Sequence, residues 1–224
     1  MALPGNGFLA IWNDVAADAE ADWLHWHTIE HMPERVGIAG FLGGRRYVDT
    51  ARTQHKYFTL YLGETLATFS SQPYVERLNN PTPWTAQLAP HFRNFVRGAC
   101  HTIASTGHGT GGAILTVRVG VGAIPPGREA ATAVLQQIVN GPGLLAAHLG
   151  IADAGVTGVP TRERNLRGAS QEPIFEGVVL VEGLGRRELT EAKAGIVQAI
   201  AGAGLTPAET AIYDLAIALD KSQL

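Results

Sequence analysis

The chain has 224 residues, 46% of them apolar, with a formal net charge of −3 and a pI near 6.2. That is ample for a buried core in one domain or two small ones, and the charge balance offers no basic footprint for nucleic acid and no polybasic anchor for lipid. MALPGNGFLAIWNDV places no charged segment before a long apolar run, and no stretch approaches the roughly 20 apolar residues of a spanning helix, so no membrane partner and a cytoplasmic location are expected.

Phe8 to Val15 is aromatic and β-branched and reads as a strand. A helix is predicted over Asp18 to Val36, ended by Gly37 and Gly40, followed by strands over Phe41 to Val48 and Tyr57 to Leu62. Pro73 suits the first turn of a helix over Pro73 to Leu78, with a short turn at Leu66 to Phe69 before it. Asn79 to Thr85, with two prolines around Trp84, reads as a rigid turn, and Phe95 to Ile103 as the closing strand. The order is βαββαβ, the ferredoxin-like arrangement.

After the turn-forming run Ser105 to Gly112 the pattern starts again. Strands are predicted over Ala113 to Val121, Leu144 to Ala152, Phe175 to Val181 and Thr210 to Leu219, with helices over Arg128 to Asn140 and Thr190 to Ala203. The predicted fold is therefore α+β: two tandem ferredoxin-like repeats, residues 1–104 and 113–224, joined by a linker at 105–112 and packed through their bare sheet faces. An insertion of about 17 residues, Thr157 to Pro173, reads as a surface excursion in preference to a lid. Neither GTGG nor GHGTGG follows a strand and opens a helix as a dinucleotide fingerprint requires. Cys100 stands alone, which excludes an intramolecular disulfide and a cysteine-based zinc cluster, and it reads as a small buried hydrophobe on a strand.

The densest chemistry lies in WLHWHTIEHMPERVGIAGFLGGRRY, Trp23 to Tyr47. At 100° per residue, Trp26, His27, Glu30 and Glu34 fall near Trp23 with His31 a little further round, while Ile29, Met32 and Val36 lie opposite. If the tryptophan side faces the sheet, these histidines and glutamates are desolvated and form a candidate site. If the Ile29 side faces inward, they are surface groups. His25 falls on the far side. On the following strand Arg45 and Tyr47 alternate to one side and Arg46 to the other; an arginine beneath the helix is placed to pair with Glu30 or Glu34, or to hold an anionic or carbonyl ligand. Trp84 reads as packing or as a pocket wall.

Trp23, His27, Glu30-His31, Pro33-Glu34, Gly40-Phe41 and Arg45-Arg46-Tyr47, on the first helix and second strand of a ferredoxin-like repeat, resemble the dimeric α+β barrel superfamily, most nearly its EthD-like branch. The architecture resembles it over nearly the whole chain, the motif only over the first half. In that superfamily the two repeats usually come from two chains; here the resemblance implies both halves in one, which leaves a homodimer through another surface open. The superfamily includes cofactor-free oxygenases, dehydratases, cyclases, isomerases and haem enzymes, so fold does not settle activity. The resemblance implies a pocket between helix and sheet. The reading is acid-base chemistry, with no cofactor, on a small aromatic or carbonyl ligand: His27 or His31 as general base, Glu30 orienting it, Arg45 or Tyr47 polarising the carbonyl, and Trp23, Glu34 and Trp84 completing the binding surface. The second repeat is expected to be a structural half. The alternative is a non-catalytic binding or interaction protein.

His27-Thr28-Ile29-Glu30-His31 also matches the H-x-x-E-H pattern of inverted zinc metalloproteases. Five residues are a weak match, zinc needs a third protein ligand from another element, and no metal is expected; a metal-dependent enzyme using His27 and His31 is the lesser alternative.

Overall fold

The computed structural model describes residues 3–122, 126–168 and 175–224. Its first unit runs β1 (Gly7–Val15), α1 (Glu20–Trp26), a π-helical turn (His27–His31), α2 (Met32–Gly37), β2 (Phe41–Val48), β3 (Tyr57–Gly63), a 3-10 turn (Leu66–Ser70), α3 (Gln72–Asn79), α4 (Pro83–Leu88) and β4 (Phe92–Gly107). The second runs β5 (Ala113–Gly120), α5 (Arg128–Val139), β6 (Leu144–Ala152), the short helices α6 (Ala154–Thr157) and α7 (Arg162–Leu166), β7 (Gly177–Gly183), α8 (Arg186–Gly202) and β8 (Thr206–Asp220). The predicted strands and main helices all form. Asn79 to Thr85 departs from the rigid turn expected of it: Thr82 caps a helix, its hydroxyl accepting the Thr85 N–H at 3.0 Å, and Pro83 occupies the first turn, where a missing N–H costs nothing.

Every pairing is antiparallel, and the eight strands close in the order β1-β3-β2-β8-β5-β7-β6-β4. Two seams join the units. At one, Arg46 lies opposite Ile217; at the other, Gly107 lies opposite Ala146. Closure leaves no sheet edge unpaired, which removes the template for edge-to-edge association. β4 and β8 are the longest strands because each meets its own unit along its first part and the other unit along its last, β4 passing from β1 to β6 near Cys100 and β8 from β5 to β2 at Asp214. Residues 105–107, expected in the linker, continue β4 for this reason.

Alternation along each strand gives one face to the lumen and one to the helices, so β3 is buried along its whole length. Phe8, Trp12, Phe58, Leu180 and Tyr213 fill the lumen, with Cys100 among them as a buried strand residue. Phe175 closes against Trp12 edge-on, with ring centroids 5.2 Å apart, over Gly98, where any β-carbon would meet its ring. One polar cluster interrupts this apolar filling. Arg45 pairs with Glu182 at 2.8 Å, and the same carboxylate accepts from Tyr47 Oη and the Gly111 N–H. Gly111 lies in the glycine run read as a linker, and it has no room for a side chain because its backbone lies against Gly183. Nearby, His148 is held down to about 3 by burial and by Arg45.

Breaking this ion pair from one side strands the other charge in the lumen. Glu182→Ala is expected to cost about 3–5 kcal/mol in urea unfolding, with much of the loss recovered in the Arg45→Met, Glu182→Leu double variant. A cost below about 1 kcal/mol for the single change would show Arg45 finding water instead.

Candidate active site beneath the first helix

The first helix is the reason a cavity exists here. Pro33 has no N–H to give the carbonyl of Ile29, and its ring crowds that carbonyl. The chain widens instead, the Met32 N–H reaching back to the carbonyl of His27, five residues earlier. One extra residue in a turn rotates everything after it by about 100° relative to a continuous α-helix. Trp23, Trp26 and His27 face the sheet before the turn, and Met32, Arg35 and Val36 face it afterwards. The two orientations that the sequence offered are thus both realised in part, and Ile29, 56% exposed, is left pointing at solvent.

Between this helix and the outer face of β1, β3 and β4 lies a largely enclosed cavity of about 60 Å³. Trp23, Trp26, His27, His31 and Arg35 form its roof; Ile11, Asn13, Thr59, Tyr61 and Arg97 form its floor; Tyr74, Thr85 and Phe92 lie at its sides. Thr161 and Glu163 close it from the second unit, where α7 lies over α3 and α4. Glu163 is buried in an ion pair with Arg35, and Thr157 accepts the Ala99 N–H at 3.0 Å. The described part of the 157–173 segment is therefore packed against the site and is no surface excursion; residues 169–173 lie outside the described residues. The second unit is correspondingly more than a structural half.

His27 is 4% exposed, and Arg46 donates to its Nδ1 at 3.2 Å, so the neutral ring carries its proton on Nε2. His31 stacks on Trp26 with centroids 4.3 Å apart, and its Nδ1 is buried with no hydrogen-bond partner. Burial holds both imidazoles well below their ordinary pKa, helped by Arg46 and Arg35 for His27 and by Arg35 for His31. Trp23 Nε1, Thr59 Oγ1 and Tyr61 Oη, all at the cavity, are likewise buried and unpartnered. Burial also raises the Tyr61 hydroxyl, keeping it a donor.

Of the residues expected here, the structure brings Trp23, His27 and His31 to the cavity. Glu30 does not orient a histidine: it accepts from the Trp26 indole at 3.1 Å and from Thr82 at 2.6 Å, tying the π turn to α4. Glu34 is swung off the face by the π turn and pairs with Arg35 and Arg77. Arg45 and Tyr47 point into the lumen, and Arg46 is the residue beneath the helix. The cause is Gly44, where a β-carbon would stand 3.0 Å from Tyr61 and 3.3 Å from Val36, so the helix rests on the Gly44 and Arg46 side of β2. Trp84 packs outside, donating to Asp22 at 3.1 Å with its ring against the exposed His25. The sequence reading missed Thr59, Tyr61 and Arg97. Their signal was present as alternation: Tyr57, Thr59 and Tyr61 share a face, and Arg97 interrupts an apolar strand.

Among the described residues no three metal-ligating side chains converge, and Arg46 occupies one ring nitrogen of His27 with a cation. In its closed form the cavity is several times smaller than a haem macrocycle, the prosthetic group that the superfamily resemblance allows.

The buried histidines make stability depend on pH. The unfolded chain binds a proton on each near pH 6.5, whereas the folded chain does not, so stability falls with pH below that point by about 1.4 kcal/mol per unit for each such histidine until the folded group titrates. In urea unfolding, His31→Gln should lose about 1 kcal/mol less than the unsubstituted chain between roughly pH 6 and 5. An identical slope would mean that His31 ionises within the folded cavity.

No protein-family model matches this chain, and no curated protein matches its sequence. Solved structures do match its fold. A candidate monooxygenase from Fusobacterium nucleatum subsp. nucleatum is 14% identical with a TM-score of 0.56, 97% of this chain and 95% of that one being covered. An anthrone oxidase-like protein is 8% identical with a TM-score of 0.57 over 96% and 92%, and a mutant chlorite dismutase from Candidatus Nitrospira defluvii is 9% identical with a TM-score of 0.55 over 96% and 92%. The chain has the dimeric α+β barrel fold, with both ferredoxin-like units in one polypeptide.

Proposed function

We propose that the chain is a small-molecule enzyme, akin to the EthD-like branch, that removes a proton from an aromatic or carbonyl compound in this cavity without a cofactor. The observation that carries the reading is the set of four buried, unpartnered polar atoms lining this cavity, Trp23 Nε1 and His31 Nδ1 from its roof and Thr59 Oγ1 and Tyr61 Oη from its floor. Buried polar groups are seldom left unpaired, because each forfeits its hydrogen bond with water. A bound oxygen-bearing molecule would satisfy them together.

The roles follow from protonation. His31 is neutral with a free ring nitrogen and acts as base. Tyr61 and Thr59 donate to the carbonyl oxygen, and His27, its tautomer set by Arg46, donates from Nε2. At about 60 Å³ the closed cavity holds a few waters, against about 150 Å³ for a benzene-sized void. In this reading α7 lifts to admit substrate, as a lid does. The names of the fold neighbours support small-molecule chemistry but share no single reaction. The binding-protein reading is favoured by the low basicity of His31, which makes it a weak proton acceptor.

Hydrogen-deuterium exchange at the α-carbon of 2-tetralone, followed by NMR in D2O, isolates the proton-transfer step. The full chain should accelerate exchange, and His31→Ala should lose about 100-fold or more while melting within a few degrees of the parent. Saturable quenching of tryptophan fluorescence by the ketone without exchange would favour the binding protein. Neither quenching nor exchange with any of a series of aryl ketones would sink both.

A further inference from the structure

We propose that the ligand of this cavity is a planar organic anion, either a carboxylate or the enolate or phenolate of a carbonyl compound, held by Arg97. The inference rests on the cavity being the ligand site, as argued above, and adds the charge that the ligand carries. Arg97 stands on β4 opposite Ile11 of β1, 6% exposed, and its side chain forms part of the cavity floor. It makes no hydrogen bond and no ion pair with any described residue. Among the described lining residues the one carboxylate is Glu163, and that is committed to Arg35, which also holds Glu34. Behind His27, Arg46 donates to the Leu24 carbonyl, to His27 Nδ1 and to the Thr28 hydroxyl, all neutral acceptors, and its Nε has none.

Two guanidinium groups therefore sit at or beside one enclosed space with no carboxylate of their own. A buried charge without a counter-charge is costly in an apolar surround, and both histidines here are neutral and add no negative charge. The arrangement makes physical sense if a bound molecule supplies the missing charge. Arginine's flat fork matches two oxygens sharing one charge, and the rings of Trp26, Phe92 and Phe95 along the cavity suit a flat body for that group. The same placement serves proton abstraction, since an anion formed from a carbonyl compound would lie against a waiting cation.

Calorimetry at pH 7.5 with two matched pairs tests the charge without needing turnover: benzoate against benzamide, and the enolate of 1,3-cyclohexanedione against neutral 2-cyclohexenone. The full chain should bind at least one anion roughly tenfold or more tighter than its neutral partner. Preference in the first pair only would identify a carboxylate, and in the second only an enolate. Arg97→Met should lose the preference and, without ligand, should melt at a higher temperature than the parent, because it removes an uncompensated charge. Arg97→Lys should keep part of the preference, and it decides the matter if Arg97→Met fails to fold. Neutral probes bound as tightly as the anions, no binding of either anion at millimolar concentration, or an anion preference unchanged in both variants would overturn the proposal. Anion preference without deuterium exchange would instead sink the base role of His31 and leave the anion site standing.

Discussion

A helix that presents two faces to one sheet has to lose phase somewhere along its length, and Pro33 is where this one loses it. Before the π turn the buried side chains are aromatic and imidazole; after it they are Met32, Arg35 and Val36, which settle into the packing of β2 and β3. A regular α-helix would have had to choose between them. Had it chosen the aliphatic side, Trp23 and His27 would have faced water; had it chosen the aromatic side, Arg35 would have lost Glu163. Below the widened turn lies the cavity, roofed by Trp23 and Trp26, of which Trp23 packs on Tyr57 of β3 with ring centroids 4.5 Å apart. Cavity, buried histidines and inward arginine all follow from one missing amide hydrogen.

Much of the architecture was legible because it rests on local signals. Period-2 runs marked the eight strands, glycines and prolines punctuated them, and the recurrence of βαββαβ pointed to two ferredoxin-like units in one chain. The pairing that closes the barrel was less visible, since strand order depends on contacts between segments a hundred residues apart, and β4 was read short by the residues that cross the seam. The candidate site was half legible. Trp23, His27 and His31 were found because they crowd into one helix, whereas Glu34 was misplaced by treating that helix as continuous through Pro33. Arg45 and Arg46 show the remaining difficulty: alternation separates them cleanly, but which one faces the helix is decided by the small volume of Gly44 under Val36, a packing fact with no local signature. Arg97 and Tyr61 come from strands remote in sequence and become neighbours of the helix only once the sheet is formed.

The two polar clusters of this barrel are built on opposite principles. In the lumen, Glu182 meets Arg45, Tyr47 and a backbone amide, so its charge and lone pairs are answered within the chain. On the outer face of the same sheet, beneath the helix, four polar atoms and a guanidinium go unanswered. A satisfied buried network specifies packing, and an unsatisfied one is held at a cost to the folded state. Adjacent residues of one strand, Arg45 and Arg46, belong to the two different regimes, which is why alternation on β2 matters more to this protein than its overall composition.

The reach of α7 across to the first helix has a consequence for symmetry. A barrel made from two identical chains carries two equivalent sites related by a twofold axis, and any residue improving one improves the other. Joining the units in one polypeptide releases that bond. Here the second unit has, among the described residues, no counterpart of the His27 to His31 turn, and its extra segment between β6 and β7 lends Thr161 and Glu163 to the first. The proposed site would therefore bind one ligand per closed barrel, half that of a symmetric pair, since the matching surface of the second sheet is covered by the plain aliphatic packing of Leu135, Leu189 and Ile196.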